Sequence, residues 1–246
     1  MKPTLEEWRK VVQAIEESLP VYDSVSEKIS LNLARKARGQ AIAYLAPYKR
    51  DWIIDIGVGP GTSSRMLLAN GFKSIVGLDP SIVLLRHVKQ TFHNGFHPVR
   101  GVSEWMPFRE RSFAGVLICF ALRDVRDLRD SLKEISRVTQ ERGRFGLVDI
   151  GKPENAILRG FIGFYVKHGM PIVSSLATKR RVPGNPFLMI VPTFNRLVSN
   201  QVLVKAVRNV FAHVGLRSIM LGGLIVILAE KSQPANQDVG SSYFTR

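Results

Sequence analysis

The sequence predicts an α/β protein with a doubly wound, mostly parallel sheet of seven strands, preceded by helices and interrupted by an inserted helical cap. Between residues 52 and 150, short apolar runs alternate with longer amphipathic stretches, as βαβ units require. A glycine-rich loop over 55–61 follows the first apolar run. Two further apolar runs come before a polar tail. These observations predict a single domain over 1–232 and a disordered tail over 233–246.

Helices are expected in residues 1–46, ahead of the first strand. Thr4 and Glu7 have the spacing of a capping box, so a first helix is predicted over 5–19. A second helical stretch is predicted over 26–45. The sequence therefore places two helices before the sheet begins.

The central alternation predicts five strands and three helices. The strands are placed at 52–56, 74–79, 97–101, 113–120 and 143–150, and the helices at 62–70, 81–92 and 127–138. From 153 to 198, apolar residues mix with glycine and proline without a clear period, which we interpret as a helical cap inserted over the strand ends. A helix at 201–213 and strands at 217–220 and 224–229 complete the predicted domain.

Positive charge is the unusual feature of the composition. Thirty-five Lys and Arg against twenty Asp and Glu leave a net charge of +15, which favours an anionic partner such as a membrane surface or a nucleic acid. A generally solvated basic surface is the alternative. The cluster Lys179-Arg180-Arg181 lies in an apolar segment without interleaved aromatics, so it resembles a membrane-edge anchor more than an RNA platform. Nucleic acid is therefore the less favoured partner, and the oligomeric state is not indicated.

Hydropathy and cysteine content indicate the cellular compartment. The longest apolar run, 219–229, is shorter than the ~20 residues that span a bilayer. A single cysteine, Cys119, excludes an intrachain disulfide framework and a multi-cysteine metal site. We expect a cytoplasmic protein without a metal, with peripheral contact at the inner face of the membrane as a candidate interaction.

The glycine loop has features of a nucleoside-binding site. Gly57, Gly59 and Gly61 follow Gly-x-Gly-x-Gly spacing, which differs from the Gly-x-Gly-x-x-Gly of dinucleotide enzymes. Asp55, just before the loop, would clash with a pyrophosphate but suits a cationic amino-acid end, held directly or through water. Asp79 closes the second strand, where its two oxygens can accept hydrogen bonds from both hydroxyls of a ribose. The pattern predicts S-adenosylmethionine as cofactor; a tight turn without a ligand is the alternative.

Three residues further along are expected to complete this site. Val102 follows the third strand, where it or Trp105 can pack against the face of an adenine, and the backbone N–H of Ser103 can serve the ring edge. Cys119 ends the fourth strand and would wall the reaction centre. The alternative for Cys119 is a small buried hydrophobe.

Three sequence blocks look like those of a known family. The Trp-Met-Pro-Phe and Ser-Phe segments of 105–113 resemble its Leu-Pro-Phe…Ser-Phe-Asp block. Phe-Ala-Leu-Arg-Asp-Val at 120–125 is similar to its Phe-Gly-Leu-Arg-Asn-Val signature, and 143–153 resembles its block ending in Lys-Pro. Over roughly 22–231 the chain thus resembles the ubiquinone/menaquinone biosynthesis C-methyltransferase family. The resemblance implies a class I S-adenosylmethionine-dependent methyltransferase that acts on a small lipophilic acceptor such as a quinol.

Carbon methylation of a quinol ring requires that a phenolic proton be removed or shared. Our hypothesis gives this task to Asp124, directly or through a water, with Arg123 orienting it or stabilising the phenolate. The alternative for this pair is a surface ion pair at the start of a helix. Tyr165 and His168, in the expected cap, are weaker candidates for the acceptor pocket.

Three other functions are compatible with parts of the pattern. An RNA or tRNA methyltransferase would explain the charge, but no Asn-Pro-Pro-aromatic motif follows the fourth strand. A methyltransferase of another lipid or small molecule would share the cofactor site. A non-catalytic lipid- or protein-binding module on the same fold would lack cofactor affinity.

Overall fold

The computed structural model describes residues 2–177 and 186–233. At its centre is one seven-stranded sheet, whose strands are β1 Trp52–Ile56, β2 Ser74–Asp79, β3 Phe96–Arg100, β4 Phe113–Cys119, β5 Thr139–Ile150, β6 His213–Ile219 and β7 Leu224–Glu230. Their order across the sheet is β3-β2-β1-β4-β5-β7-β6. The first five strands run parallel, and β7 pairs antiparallel with both β5 and β6. The predicted fold class is confirmed.

Ten α-helices are present in the described part of the chain. They are α1 Leu5–Ser18, α2 Tyr22–Ile29, α3 Leu33–Tyr44, α4 Thr62–Ala69, α5 Ile82–Thr91, α6 Leu128–Val138, α7 Ala156–Phe164, α8 Met170–Ala177, α9 Ile190–Arg196 and α10 Asn200–Arg208. The predicted capping box at the start of α1 is formed, because the Thr4 side chain accepts from Glu7 N and the Glu7 side chain accepts from Thr4 N.

Apolar side chains fill both faces of the sheet. On one face, α6 and α10 pack with strand residues such as Ile118 and Phe145. On the other, α3, α4 and α5 pack against strand residues such as Ile53 and Leu117. This two-sided burial is the reason that the central strands are almost continuously apolar. It also leaves the carboxyl ends of the parallel strands as the edge where loops can form a site.

The predicted single helical stretch over 26–45 is wrong. It is two helices, α2 and α3, separated by Leu31 and Asn32, which both have positive φ (52° and 62°). The Ser30 hydroxyl donates to the Ser26 carbonyl at 2.7 Å, which helps to close the end of α2. The break turns α3 onto the sheet while α2 stays at its carboxyl edge.

Because of strand pairing, three other element boundaries lie at residues that differ from the predicted ones. β6 begins at His213 rather than at 217, because it pairs with β7 from His213 opposite Glu230 onward. Consequently α10 ends at Arg208, not at 213. β5 begins at Thr139 rather than at 143, because Thr139 already pairs with Phe113 of β4.

The segment predicted as a cap is helical where it is described. A π-helical turn, Tyr165–Gly169, joins α7 to α8, and a 3₁₀ turn, Pro186–Met189, precedes α9. Val166, Met170 and Phe194 pack with Val25 of α2 and with Ile150 at the carboxyl end of β5. The segment therefore covers that edge of the sheet.

Two predicted features fall at least partly outside the described residues. These are the basic cluster Lys179-Arg180-Arg181 and all but the first residue of the predicted tail. Among the described residues, no single helix is long and apolar enough to cross a membrane. The pair Phe187–Arg196 and Asn200–Arg208, bent by 71°, meets the length and composition requirement only when taken together.

Candidate active site

The glycine loop is fixed to the end of β2. Gly57 N–H donates to the Leu78 carbonyl at 2.8 Å, and Gly59 N–H donates to Asp79 Oδ2 at 2.9 Å. Gly57, Gly59 and Gly61 all have positive φ, which glycine adopts without strain. An added Cβ at Gly57 would lie 2.4 Å from the Ala121 Cβ, so this position also needs glycine for space.

Asp79, the last residue of β2, supplies a carboxylate beside the glycine loop. Its Oδ1 accepts from Ser81 N–H at 2.9 Å, and only 4% of the residue is exposed. Burial raises the pKa of Asp79 to about 6, against the lowering effect of the hydrogen bonds from Gly59 and Ser81. Each oxygen keeps a second lone pair, so the carboxylate can still accept from a ligand hydroxyl.

A cavity, here called the cofactor cavity, opens over the loop and Asp79. Of the eight residues predicted to bind cofactor, six line it: Gly57, Gly59, Asp79, Val102, Ser103 and Cys119. Burial raises the pKa of the Cys119 thiol to about 12, so it is a neutral part of the wall. The predicted set is therefore largely brought together, at the edge of the sheet where the sequence places it.

Asp55 and Gly61 do not line the cofactor cavity. Asp55 lies behind the loop, 1% exposed, where its Oδ2 accepts from Ser64 Oγ at 2.6 Å. Burial raises the pKa of Asp55 to about 7. Gly61 caps α4 in a left-handed conformation, and an added Cβ would lie 3.2 Å from the Val88 side chain. Both residues shape the loop from behind.

Arg38, which was not predicted as a site residue, lines the same cavity. It belongs to α3, is 4% exposed, and its guanidinium lies 4.5 Å from the centroid of the Phe120 ring. Its Nε has no hydrogen-bond partner among the described residues. A buried cation with a free donor beside the cavity is suited to a carboxylate ligand. The sequence does not distinguish Arg38 from Arg35 and Lys36 on the same helix, which are exposed cations.

A second cavity, here called the acceptor cavity, adjoins the first. The two share five lining residues: Val11 and Ile15 of α1, and Tyr22, Phe120 and Asp124. The remaining wall is mostly apolar and comes from α1, α2 and the cap. Tyr165 lines it, but its hydroxyl is engaged with the Ile29 carbonyl at 2.6 Å; His168 is exposed, with its ring 4.9 Å from that of Phe164.

Arg123 and Asp124 form a buried ionic cluster with Asp149 at the junction of the cavities. Arg123 Nη1 lies 2.8 Å from Asp149 Oδ1, and Arg123 Nη2 lies 3.3 Å from Asp124 Oδ2. The side chains of Arg123 and Asp124 are only 9% and 13% exposed, so the alternative of a surface ion pair is wrong. Asp149, near the end of β5, was not predicted because it sits within an apolar strand.

The cluster sets the protonation of its members. Burial raises the pKa of Asp124 to about 6, with Arg123 lowering it and Asp149 raising it. Burial lowers the pKa of Arg123, but Asp124 and Asp149 more than offset this, so the guanidinium stays charged. Asp124 is thus a carboxylate near neutral pH that faces both cavities.

Tyr22 is the other polar group shared by the two cavities. Burial raises the pKa of the Tyr22 hydroxyl, while Arg38 and Arg123 lower it. The phenol therefore remains a hydrogen-bond donor at neutral pH. Tyr22 was not predicted as a site residue, because it lies in the first turn of α2, ahead of the predicted helix over 26–45.

The family model of the ubiE/COQ5 methyltransferase family matches residues 4–182. The chain belongs to this family. It is a methyltransferase, and its cofactor is S-adenosylmethionine. The resemblance found in the sequence blocks is confirmed.

Relatives within this methyltransferase family are moderately similar in sequence. A demethylmenaquinone methyltransferase of Thermotoga maritima is 27% identical over 157 residues, which cover 63% of this chain and 68% of that protein. A 2-phytyl-1,4-naphtoquinone methyltransferase of Nostoc punctiforme is 26% identical over 223 residues, which cover 84% of this chain and 93% of that protein.

Solved structures share the fold at lower identity. A putative methyltransferase in complex with the Haloferax volcanii Trm112 activator has a TM-score of 0.64 at 16% identity, covering 89% of this chain and 98% of that one. The [4+2]-cyclase SpnF has a TM-score of 0.64 at 12% identity, covering 90% and 95%. At these identities the likeness shows the methyltransferase fold alone.

The residues of the cofactor cavity fit S-adenosylmethionine. Asp79 offers a carboxylate to the ribose hydroxyls, and the orphaned Nε of Arg38 offers a buried donor to the carboxylate of the amino-acid end. Val102 and Ser103, beside which the adenine is predicted to lie, also line this cavity. Among the described residues, no group of three or more His, Cys, Asp or Glu side chains is placed to hold a metal ion.

Proposed function

We propose that this methyltransferase transfers a methyl group to a ring carbon of a quinol whose apolar chain lies in the acceptor cavity. The observation that carries the proposal is the junction of the two cavities at Tyr22, Phe120 and Asp124. An apolar cavity that meets a cofactor cavity at one carboxylate suits a lipophilic acceptor with an acidic hydroxyl. Two relatives named for demethylmenaquinone and 2-phytyl-1,4-naphtoquinone support the same acceptor class.

Asp124 is the proposed general base. When bound, the cofactor supplies an electrophilic methyl group on a sulfonium. Asp124 accepts the proton of the quinol hydroxyl, which raises electron density at the neighbouring ring carbon. After transfer, the methylated ring carbon loses its hydrogen as a proton, and Asp124 returns a proton to the quinol oxygen, which restores the aromatic quinol. Arg123, held by Asp149, stabilises the negative charge that develops on the quinol oxygen.

Tyr22 and the apolar walls position the acceptor. The neutral Tyr22 hydroxyl donates to a quinol oxygen at the junction and so orients the ring. Phe120 and the residues of α1, α2 and the cap exclude water from the reacting carbon. Methyl transfer to an activated carbon needs mainly such alignment and exclusion of water.

Transfer to a short-chain demethylated naphthoquinol tests the proposal directly. The purified protein is incubated with methyl-labelled cofactor and the reduced quinol, and the product is identified by mass spectrometry. Label on a ring carbon is the expected result. Label on oxygen would replace C-methylation by O-methylation, and no label, with S-adenosylhomocysteine still bound in calorimetry, would exclude quinols as acceptors.

The proposal also places the reaction at the cytoplasmic face of a membrane, where long-chain quinols reside. The net charge of +15 supports attraction to anionic lipids. Such attraction weakens as salt rises, because exposed charges are screened within about 8 Å at physiological ionic strength. Vesicle binding that is independent of both salt and lipid charge would contradict this part of the proposal.

A further inference from the structure

Helices α7 and α8 are apolar on two opposite sides. Towards the interior, Ile162, Val166 and Met170 line the acceptor cavity. Towards the outside, five large apolar side chains are 60–77% exposed. These are Ile157, Phe161, Phe164, Ile172 and Leu176, here called the outer cap face. A helix that is apolar all round is typical of a protein core or of contact with a membrane, and no core covers the outer cap face in the described structure.

The spacing of these residues places them on one side of each helix. Residues 157, 161 and 164 recur at intervals of four and three along α7, so they share one side of the helix. Residues 172 and 176 repeat the interval of four on α8, directly after the π-helical turn. Exposed apolar residues that occur singly need no explanation, but five on two consecutive helices indicate an interaction surface.

Two leucines close in sequence to residues that contact the cap are exposed at a conformational cost. Leu31 and Leu221 are each 69% exposed and have positive φ, 52° and 56°. Glycine or asparagine would occupy such positions with less strain and without an apolar side chain in water. Leu31 follows Ile29, whose carbonyl accepts from Tyr165 of the cap, and Leu221 precedes Gly223, which packs against Ile162.

Positive charge lies close to the same surface. Lys28, Arg35 and Lys36 flank Leu31 in sequence, Lys167 lies between α7 and α8, and all four are exposed. None of the four pairs with a carboxylate within 2–177 and 186–233. An apolar helical face bordered by unpaired cations is complementary to the acyl chains and anionic headgroups of a bilayer.

We propose that the outer cap face, together with Leu31 and Leu221, inserts into the interfacial layer of an anionic lipid bilayer. The inner side of the same helices walls the acceptor cavity, so a quinol can pass from the bilayer to the cavity without crossing bulk water. This inference extends the proposed function and rests on it for the identity of the quinol. The membrane contact itself rests only on the exposed residues and their charges.

Vesicle sedimentation of the full chain tests the surface. Phosphatidylcholine vesicles with and without phosphatidylglycerol are compared for the wild type, for Phe161→Ser/Phe164→Ser and for Val83→Ser/Val202→Ser. The control pair removes exposed apolar side chains from α5 and α10, which are not part of the outer cap face. We expect the partition coefficient to fall at least ten-fold in the phenylalanine pair and to change less than two-fold in the control. Equal binding by all three proteins would overturn the proposal.

An environment-sensitive dye locates the inserted face independently. It is attached to Phe164→Cys and, as control, to Val83→Cys, since Cys119 is buried. Anionic vesicles should shift the emission of the dye at 164 to the blue and leave the dye at 83 unchanged. Vesicle binding without a shift at 164 would overturn the assignment of the face. A face that instead buries itself in a second copy would give a concentration-dependent dimer in sedimentation velocity and no binding to vesicles.

Turnover of a water-soluble short-chain quinol separates this inference from the proposed function. The phenylalanine pair should keep that turnover but lose activity on a long-chain quinol embedded in vesicles. Loss of both activities together with cofactor binding would indicate a damaged fold. The Phe161→Leu/Phe164→Leu variant is the control for this outcome. It keeps the face apolar, so it should restore binding to vesicles. A wild type that binds vesicles but methylates no quinol would leave the surface standing and refute the function.

Discussion

The guanidinium of Arg123 is fixed by the carboxylate of Asp149, with 2.8 Å between Nη1 and Oδ1 and 3.1 Å between the Arg123 backbone nitrogen and Oδ2. The same guanidinium reaches Asp124 at 3.3 Å. Asp149 is 1% exposed and does not line either the cofactor or the acceptor cavity. It therefore acts on the proposed chemistry through Arg123, as a positioning residue.

Replacing Asp149 by Asn should lower kcat about ten-fold or more and leave the affinity for S-adenosylhomocysteine unchanged. The amide keeps an acceptor for Arg123 but removes the charge that holds it, so the guanidinium turns towards Asp124. Asp149 also raises the pKa of Asp124, so its loss should move the acidic limb of the kcat profile to lower pH. Steady-state kinetics at a series of pH values measure both the change in kcat and the position of the acidic limb. A lower kcat with an unmoved limb would indicate a purely structural role.

The pH dependence of turnover reports on Asp124. Burial places its pKa at about 6, above the ordinary value of 3.8, and only the ionised form can accept a proton. We therefore expect kcat to rise with pH through about 6 at saturating cofactor, a condition that removes the separate effect of Asp79 on binding. Asp124→Asn should lose roughly 100-fold in kcat together with this limb. A limb retained in the Asn variant would assign it to another group.

Parallel strands and the loops between them could be predicted because their patterns are local. The apolar run 52–56, the glycine loop and Asp79 lie where the sequence places them. Boundaries that depend on pairing could not be predicted: β6 starts four residues early because β7 provides a partner. The break at Leu31 and Asn32 was missed because leucine favours helices, although asparagine often ends them.

The site could be predicted only where its residues follow strand ends. Arg123 and Asp124 were found because they stand in a recognisable motif after β4. Asp149 and Arg38 were missed because a single charge inside an apolar strand, or among other cations on a helix, gains its meaning only from burial. Tyr22 joins the site because α2 crosses the carboxyl edge, which is a tertiary feature.

Replacing Arg38 by Met should weaken binding of S-adenosylhomocysteine at least ten-fold. The variant removes the buried cation that would bind the carboxylate of the cofactor, and charge-assisted hydrogen bonds contribute about 1.5–3 kcal/mol. Calorimetry measures the affinity, and Arg35→Met on the exposed side of α3 is the matched control. An affinity equal to that of the control would remove Arg38 from the cofactor site.

Asp55 should make the stability of the cofactor-free protein depend on pH. Burial raises its pKa from 3.8 to about 7, so between these values the unfolded state has lost a proton that the native state keeps. The free energy of unfolding therefore falls as pH rises through this window. Asp55→Asn does not titrate and still accepts a hydrogen bond from Ser64. The Tm of the variant minus that of the wild type should therefore increase by several degrees from pH 4 to pH 8, at ~2–4 °C per kcal/mol.

The Ser64→Ala variant provides the opposite arm of this experiment. The Ser64 hydroxyl donates to Asp55 and lowers its pKa, so removing it should raise the pKa further and steepen the loss of stability with pH. Thermal unfolding of the three proteins at matched ionic strength gives the slopes. Parallel Tm profiles for all three would mean that Asp55 titrates alike in the native and unfolded states, and the carboxylate behind the glycine loop would then be hydrated rather than buried.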